Sequence, residues 1–266
     1  MALAGAVMVA LLLLTALAAP VIVGDGYKKQ NISERLMPPS AKHIMGTDEL
    51  GRDLFSRMVY GARVSMTVGI IAVAIAALIG VTLGAISGYF GGVVDNVIMR
   101  LVDIMLTIPT LFLILMLIVF LGPSLFNIMI IIGLTSWTDI ARIVRAEVMS
   151  CKKAAYAEAA KVMGFKKRRI IFSHILPNTF APVLVYMTFG VSGAILTESG
   201  LSFLGLGVQP PVPSWGNILT SGKDYLESAW WMLAFPGIAI FISVFSYNML
   251  GEGLRDWLNP RLRNER

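Results

Sequence analysis

Long runs without a charged side chain limit this chain more than any motif does. Residues 2–23, 64–94, 104–138 and 229–251 contain no Asp, Glu, Lys or Arg, and 179–205 contains only Glu198. A helix of about 20 mostly apolar residues, at a rise of about 1.5 Å each, crosses the hydrocarbon of a bilayer. The run at 104–138 is too long for one helix, and Gly122-Pro123-Ser124 breaks it. The expected spans are therefore 2–23, 64–88, 98–121, 125–143, 179–205 and 229–251, an all-α integral membrane protein with six transmembrane helices. Composition agrees. Only 14% of the 266 residues are charged, against about 25% in average proteins.

The net charge of +6 does not read as a nucleic-acid footprint. The basic residues cluster between spans, where membrane topology and anionic lipid account for them. Residues 144–177 hold Arg145, Lys152, Lys153, Lys161, Lys166, Lys167, Arg168 and Arg169, and the tail holds Arg255, Arg261, Arg263 and Arg266. Six spans put these two segments on one side, expected to be cytoplasmic. The loop at 24–60 is placed outside, although its mixed charges weaken the signal. The first run, "ALLLLTALAAP", has a signal-peptide look, with a small-x-small site at Ala16-Leu17-Ala18. No basic segment precedes it and it is long enough to span, so a retained helix is expected, with a cytosolic arm upstream of Met1 left open.

Cys151 is the single cysteine, and His43 and His174 fall on opposite sides of the membrane. No disulfide within the chain, thiolate metal site or histidine pair is expected. Neither a catalytic constellation nor a P-loop is present. "GNILTSGKD" comes nearest to a P-loop, with the wrong spacing and Asp224 where Ser or Thr is needed.

Gly80, Gly84, Gly88 and Gly92 recur every four residues, and Ala72 and Ala76 extend the stripe. This spacing predicts one face for close helix packing, within the chain or against another subunit. Pro109, Pro123 and Pro236 in or beside spans permit kinks. In "DELGRDLFSRM", Leu50, Leu54 and Met58 share a face, while Asp48–Arg52 and Asp53–Arg57 stand at i,i+4. That pattern predicts an amphipathic helix on the outer surface carrying paired charges. "GVQPPVPSWG", stiffened by Pro210, Pro211 and Pro213 and anchored by Trp215, reads as a packed outer element or a docking surface. Glu198 is the acidic group inside a span. Such a group forms a hydrogen bond within its bundle, lines a substrate path or carries a proton.

The polar interruption at 158–178, "EAAKVMGFKKRRIIFSHILPN", is the most distinctive stretch. "YAEAAKVMG" predicts a short helix rich in alanine, with Gly164 as its C′ residue. Ala155, Ala159 and Val162 share one face, and Lys153, Ala157 and Lys161 another. A second short helix through "KKRRIIFSHI" is expected to stop at Leu176-Pro177-Asn178. The smooth alanine face suits a groove on another protein, and the lysines suit anionic lipid; the residues alone favour neither.

The same stretch resembles the EAA motif of ABC importer permeases, with Glu158, Ala159, Ala160, Gly164, Leu176 and Pro177 on its pattern and His174 where the consensus has Ile. "GTDELGRDLFSRMVYGARVS" (46–65), "ESGLSFLGLGVQPPVPSWG" (198–216) and "LGEGLRDWLNPRLR" (250–263) are similar to the C-type permease of dipeptide, oligopeptide and nickel importers. The resemblance implies a type I importer permease fold in a bacterial or archaeal cell membrane. It implies a first helix and outer loop over 1–63, a permease core over 64–252 and a cytoplasmic tail over 253–266. It implies a coupling helix in which Ala155, Tyr156, Glu158, Ala159, Ala160, Gly164 and Phe165 contact a cytosolic ATPase, with Glu198 on the possible substrate path. The implied partners are a homologous permease, two ATPase subunits holding ATP and Mg, an extracytoplasmic solute-binding protein and membrane lipid. No cofactor is expected in this chain, and ATP hydrolysis belongs to the partners. Short peptides are the expected cargo, with nickel or a metal chelate as the alternative and a stand-alone channel or secondary transporter as the remote one.

Overall fold

The computed structural model describes residues 1–258 and is helical almost throughout. In chain order the helices are α1 (Ala2–Val23), α2 (Leu54–Phe90), α3 (Gly92–Thr107), α4 (Thr110–Leu121), α5 (Leu125–Thr135), α6 (Trp137–Cys151), α7 (Ala155–Val162), α8 (Lys167–Arg169), α9 (Leu176–Phe203), α10 (Trp215–Gly222) and α11 (Trp231–Leu258). Five segments are long and apolar enough to cross a membrane: α1, α2, α5 with α6, Lys167–Phe203 and α11. The pair α3 and α4 makes a sixth if it counts as one span, bent by 87°. Arg261, Arg263 and Arg266 of the expected tail lie outside the described residues.

The bend has a local cause. Ile108 is extended at φ −92° and ψ 123°, the conformation a residue before proline prefers. Pro109 then opens α4. The run read as one span over 98–121 is therefore two helices, the first starting at Gly92.

α2 threads the middle of the bundle. Asp53 caps it, accepting from the Ser56 N–H at 2.8 Å, so the helix begins ten residues before the apolar run. No separate surface helix forms: Leu50 lies in the preceding turn, and Leu54 and Met58 are buried in the first turns of the span. The expected Asp53–Arg57 pair is replaced. Asp53 already serves the cap and His43 Nδ1 at 2.9 Å, and Arg57 Nη1 donates instead to Asp48 Oδ2 at 2.6 Å. Arg52 Nε donates to the same oxygen at 2.6 Å. All three groups are buried, where an ion is tolerable only when paired.

The glycine stripe packs within the chain, against α6. A Cβ on Gly80, Gly84 or Gly88 would come within 2.7 Å of the Trp137 carbonyl, 2.5 Å of the Ala141 carbonyl and 2.7 Å of the Arg145 carbonyl respectively. Gly92 is not part of the stripe, because the chain breaks helix at Gly91 and a Cβ on Gly92 would touch nothing. Where the stripe ends, Arg145 of α6 forks onto Asp95 of α3, with Nε to Oδ1 at 2.5 Å and Nη2 to Oδ2 at 2.6 Å. Ser87 of α2 donates to the same carboxylate, so three helices meet at one ion pair.

The long connections gather at the end of the bundle opposite α7. Trp215, buried under the proline-rich turn, donates Nε1–H to the Met58 carbonyl at 3.1 Å, and Trp231 donates to the Thr47 carbonyl at 3.1 Å. Ser214 and Asn217 form a capping box for α10. The Pro213–Trp215 end of the turn is thus packed into the bundle, while Gln209, Pro210 and Pro211 at its tip stay exposed.

The stop expected at Leu176-Pro177-Asn178 is absent. Residues Ile170–Ile175 form a π-helix that joins α8 to α9 without a break. The Leu176 N–H reaches five residues back to the Ile171 carbonyl, and this wider turn carries the chain past Pro177, which has no N–H to give to the turn before it. Asn178 Nδ2 donates to the His174 carbonyl at 2.6 Å.

Candidate functional site: a presented helix and a mid-membrane cleft

α7 has only eight residues, too few to hold a helix alone in water. Two features hold it. Ala157 and Ala160 are buried in one cluster with Ile170, Ile171 and Ile175 of the π-helix. Its C-terminus is a Schellman motif: the Phe165 N–H donates to the Ala160 carbonyl at 3.1 Å and the Gly164 N–H to the Lys161 carbonyl at 3.1 Å. Gly164 sits at φ +75° with open space around its Cβ position. Glycine is needed there for its left-handed backbone and not for room. Phe165 then stacks on His174 at 5.6 Å between ring centres, under the Arg169 guanidinium at 4.3 Å.

What α7 does not bury it presents. Ala155, Tyr156, Glu158, Ala159 and Val162 are exposed, Val162 to 88%. The face of Ala155, Ala159 and Val162 points away from the bundle, while Ala157 turns inward. The result is a smooth, small-residue surface on a rigid mount, joined through the π-helix to a 37-residue membrane helix.

A second feature was not evident from the sequence. A cleft of about 340 Å³ opens where α2, the α3–α4 bend, the α5–α6 junction and α9 meet, with Thr135, Ser136, Asp139, Tyr186 and Thr197 among its lining. Asp139 is exposed to it. It stands 14 residues after Leu125 and 12 before Cys151, hence about 21 Å and 18 Å from the two ends of this span at helical rise. That is close to mid-membrane, where an ionisable group faces a cavity or a partner. The helix runs on past the expected span of 125–143 to Cys151. The row Ile140, Ala141, Val144 and Val148, all buried, carries helical apolar spacing through its charged stretch. On α9 beside this cleft, a Cβ on Gly193 or Gly200 would meet nothing within 4 Å, so this face is open in the single chain.

Glu198 is 0% exposed. Its Oε1 accepts from Ser202 Oγ and from Ser214 Oγ, each at 2.7 Å. Of its three readings, the hydrogen bond within the bundle is the one seen, tying α9 to the cap of α10.

A multi-pass helical bundle with a mid-membrane cleft and a short helix offered at one end defines a membrane transport subunit. Comparison with known proteins places it further. A family model for the binding-protein-dependent transport system inner membrane component matches residues 80–264. The chain belongs to this family. It is 44% identical over 264 residues to the dipeptide transport system permease protein DppC of Alkalihalophilus pseudofirmus, covering 99% of this chain and 87% of the relative. It is 42% identical over 263 residues to the oligopeptide transport system permease protein OppC of Bacillus subtilis, covering 99% and 86%. In fold it resembles a chain of the inward-facing MetNI methionine ABC transporter, with TM-score 0.60, 17% identity, 77% of this chain and 98% of that one. The fold is thus that of a type I ABC importer permease, and the protein is a multi-pass permease of the inner membrane.

Proposed function

We propose that this chain is one of two membrane subunits of an ATP-driven importer of short peptides. The observation that carries the mechanism is α7: a short alanine-faced helix, closed by Gly164 and mounted through the π-helix on a bilayer-spanning helix. Peptide cargo is supported by the names of the similar permeases from A. pseudofirmus and B. subtilis. In this reading α7 and the C-terminus face the cytoplasm, and Ala155, Ala159 and Val162 seat in a groove of an ATPase subunit. Two such subunits hold ATP and Mg; this chain hydrolyses nothing. The cleft around Asp139, closed by a homologous permease on the open face of α9, is the path. A solute-binding protein delivers cargo to the end built from Trp215 and Trp231. Closure of the ATPases moves α7, and with it the whole of Lys167–Phe203. Each ligand shifts the balance between inward and outward states only by binding one of them better.

Uptake of labelled di- to pentapeptides and of a labelled nickel chelate, in cells with and without this gene, tests the reading. Loss of peptide uptake alone is expected. Loss of nickel uptake alone overturns the cargo while leaving the coupling mechanism standing.

A further inference from the structure

At the end of the bundle that bears α7, the structure holds a pocket of about 420 Å³ between the last turn of α2 and the start of α7. Its lining includes four lysines, Lys152, Lys153, Lys161 and Lys167, against a single carboxylate, Glu158. Among the described residues, none of these five takes part in an ion pair. Two of the lysines are held in place by the end of α2. Lys152 Nζ donates to the Tyr89 carbonyl and lies 5.4 Å from the centre of the Tyr89 ring, while Lys167 Nζ lies 5.4 Å from the centre of the Phe90 ring. A solvated basic face leaves its ammonium groups splayed in water. Here all four line one cavity, and two of them are held against its aromatic wall.

We propose that this pocket binds the phosphate headgroup of an anionic phospholipid. Charge complementarity selects an anion, and the surroundings select a lipid over a free ion. Tyr89 and Phe90 end a helix long and apolar enough to span the bilayer, and aromatic rings at the ends of such helices favour the headgroup region. From Phe90 the chain passes directly into α3, whose Val93 is 78% exposed and whose Val94 and Val97 are exposed with it, an apolar surface for acyl chains beside the lysines. The bound headgroup then bridges the end of α2 to Lys153 and Lys161, which flank and belong to α7, and so braces the presented helix against the bundle. This inference does not depend on the cargo or on the ATPase reading of α7.

The test is native mass spectrometry of the assembled transporter after exchange into nanodiscs of phosphatidylcholine with or without phosphatidylglycerol. The wild-type complex should retain phosphatidylglycerol in preference to phosphatidylcholine. Lys152→Gln and Lys167→Gln should each lower that retention about fivefold, the effect of one basic residue at an anionic surface. The Lys152→Arg/Lys167→Arg variant should keep it, and far-UV circular dichroism checks that each variant is folded. Equal retention of both lipids by wild type overturns the proposal. So does unchanged phosphatidylglycerol retention in the Gln variants, including the case in which they shed ATPase subunits instead, which would assign the lysines to a protein contact. Displacement of the lipid by excess inorganic phosphate would likewise replace the lipid with a free anion.

Discussion

Gly164 illustrates how one residue sets a functional surface. Its φ of +75° costs an L-residue about 1–2 kcal/mol, and nothing crowds its Cβ position. Gly164→Val should therefore unwind the last turn of α7 and lower ATP-driven uptake, while Gly164→Asn, which tolerates this region, should retain most of it. Comparing the two variants for uptake in proteoliposomes checks that conformation and not space is at issue. Glu198 supports a different kind of argument. Its Oε1 is the acceptor for two buried serine hydroxyls. Glu198→Gln keeps a carbonyl acceptor and should stay within about 1 kcal/mol of wild type, whereas Glu198→Ala strands both donors and should cost about 1–3 kcal/mol. Thermal unfolding of the detergent-solubilised protein reads the difference. If Glu198→Gln instead abolished transport without loss of stability, the carboxyl would have a role beyond this hydrogen bond. Both residues were legible in the sequence because each is an exception in its surroundings: a glycine after an alanine-rich helix, and an acid in a span. Of the serines that donate to Glu198, Ser202 stands one turn on in the same helix, but Ser214, 16 residues away across a proline-rich turn, was not legible.

Among elements, helix existence was readable and helix continuity was not. Apolar length identified the spans. It could not show that α2 begins at Leu54, because the burial of Arg57 in its first turn depends on Asp48 folding back beneath it. Nor could it show that Pro177 lies inside a continuous helix, because a π-turn leaves no periodic mark in six residues. The glycine stripe was readable as a close-packing face; which partner it meets was settled by α6. Gly84→Leu should consequently separate α2 from α6, since even a Cβ would lie 2.5 Å from the Ala141 carbonyl. Overpacking of that kind costs about 1–3 kcal/mol or more, so a lower melting temperature is expected than for the same change at the open Gly193. The loop before α2 carries its own pH dependence. A hydrogen bond from Lys42, and next one from His43, hold the Glu34 carboxyl below the usual glutamate range. A depressed folded-state value stabilises the loop above the unfolded value, about 4.3, and that contribution is lost as pH falls through the folded one. Amide protection across 31–53, taken relative to the intrinsic exchange rate at each pH, should therefore fall on acidification below about pH 4.3, and Glu34→Gln should flatten that fall.

For the whole molecule, the two ends of the bundle have different characters and one helix joins them. At one end Trp215 and Trp231 lock the connections onto α2 and the loop before it. At the other, α7 hangs from the π-helix with its outer face unpartnered. Lys167–Phe203 runs between them past the Asp139 cleft, so under the proposed mechanism a push on α7 would travel along the wall of that cleft. Replacing Asp139 with Asn should leave folding intact, because its carboxylate forms no ion pair among the described residues, and should lower peptide transport per ATP hydrolysed.

The central claim is that α7 is the mechanical link to an ATPase. Its most direct test is ATP-driven peptide uptake by the reconstituted transporter carrying Ala159→Trp, with ATP hydrolysis measured in parallel. The bulky ring on the exposed alanine face should prevent seating, so uptake should fall at least tenfold and hydrolysis should no longer respond to peptide-loaded binding protein. Full uptake with normal ATP coupling in that variant would show that α7 is not the link.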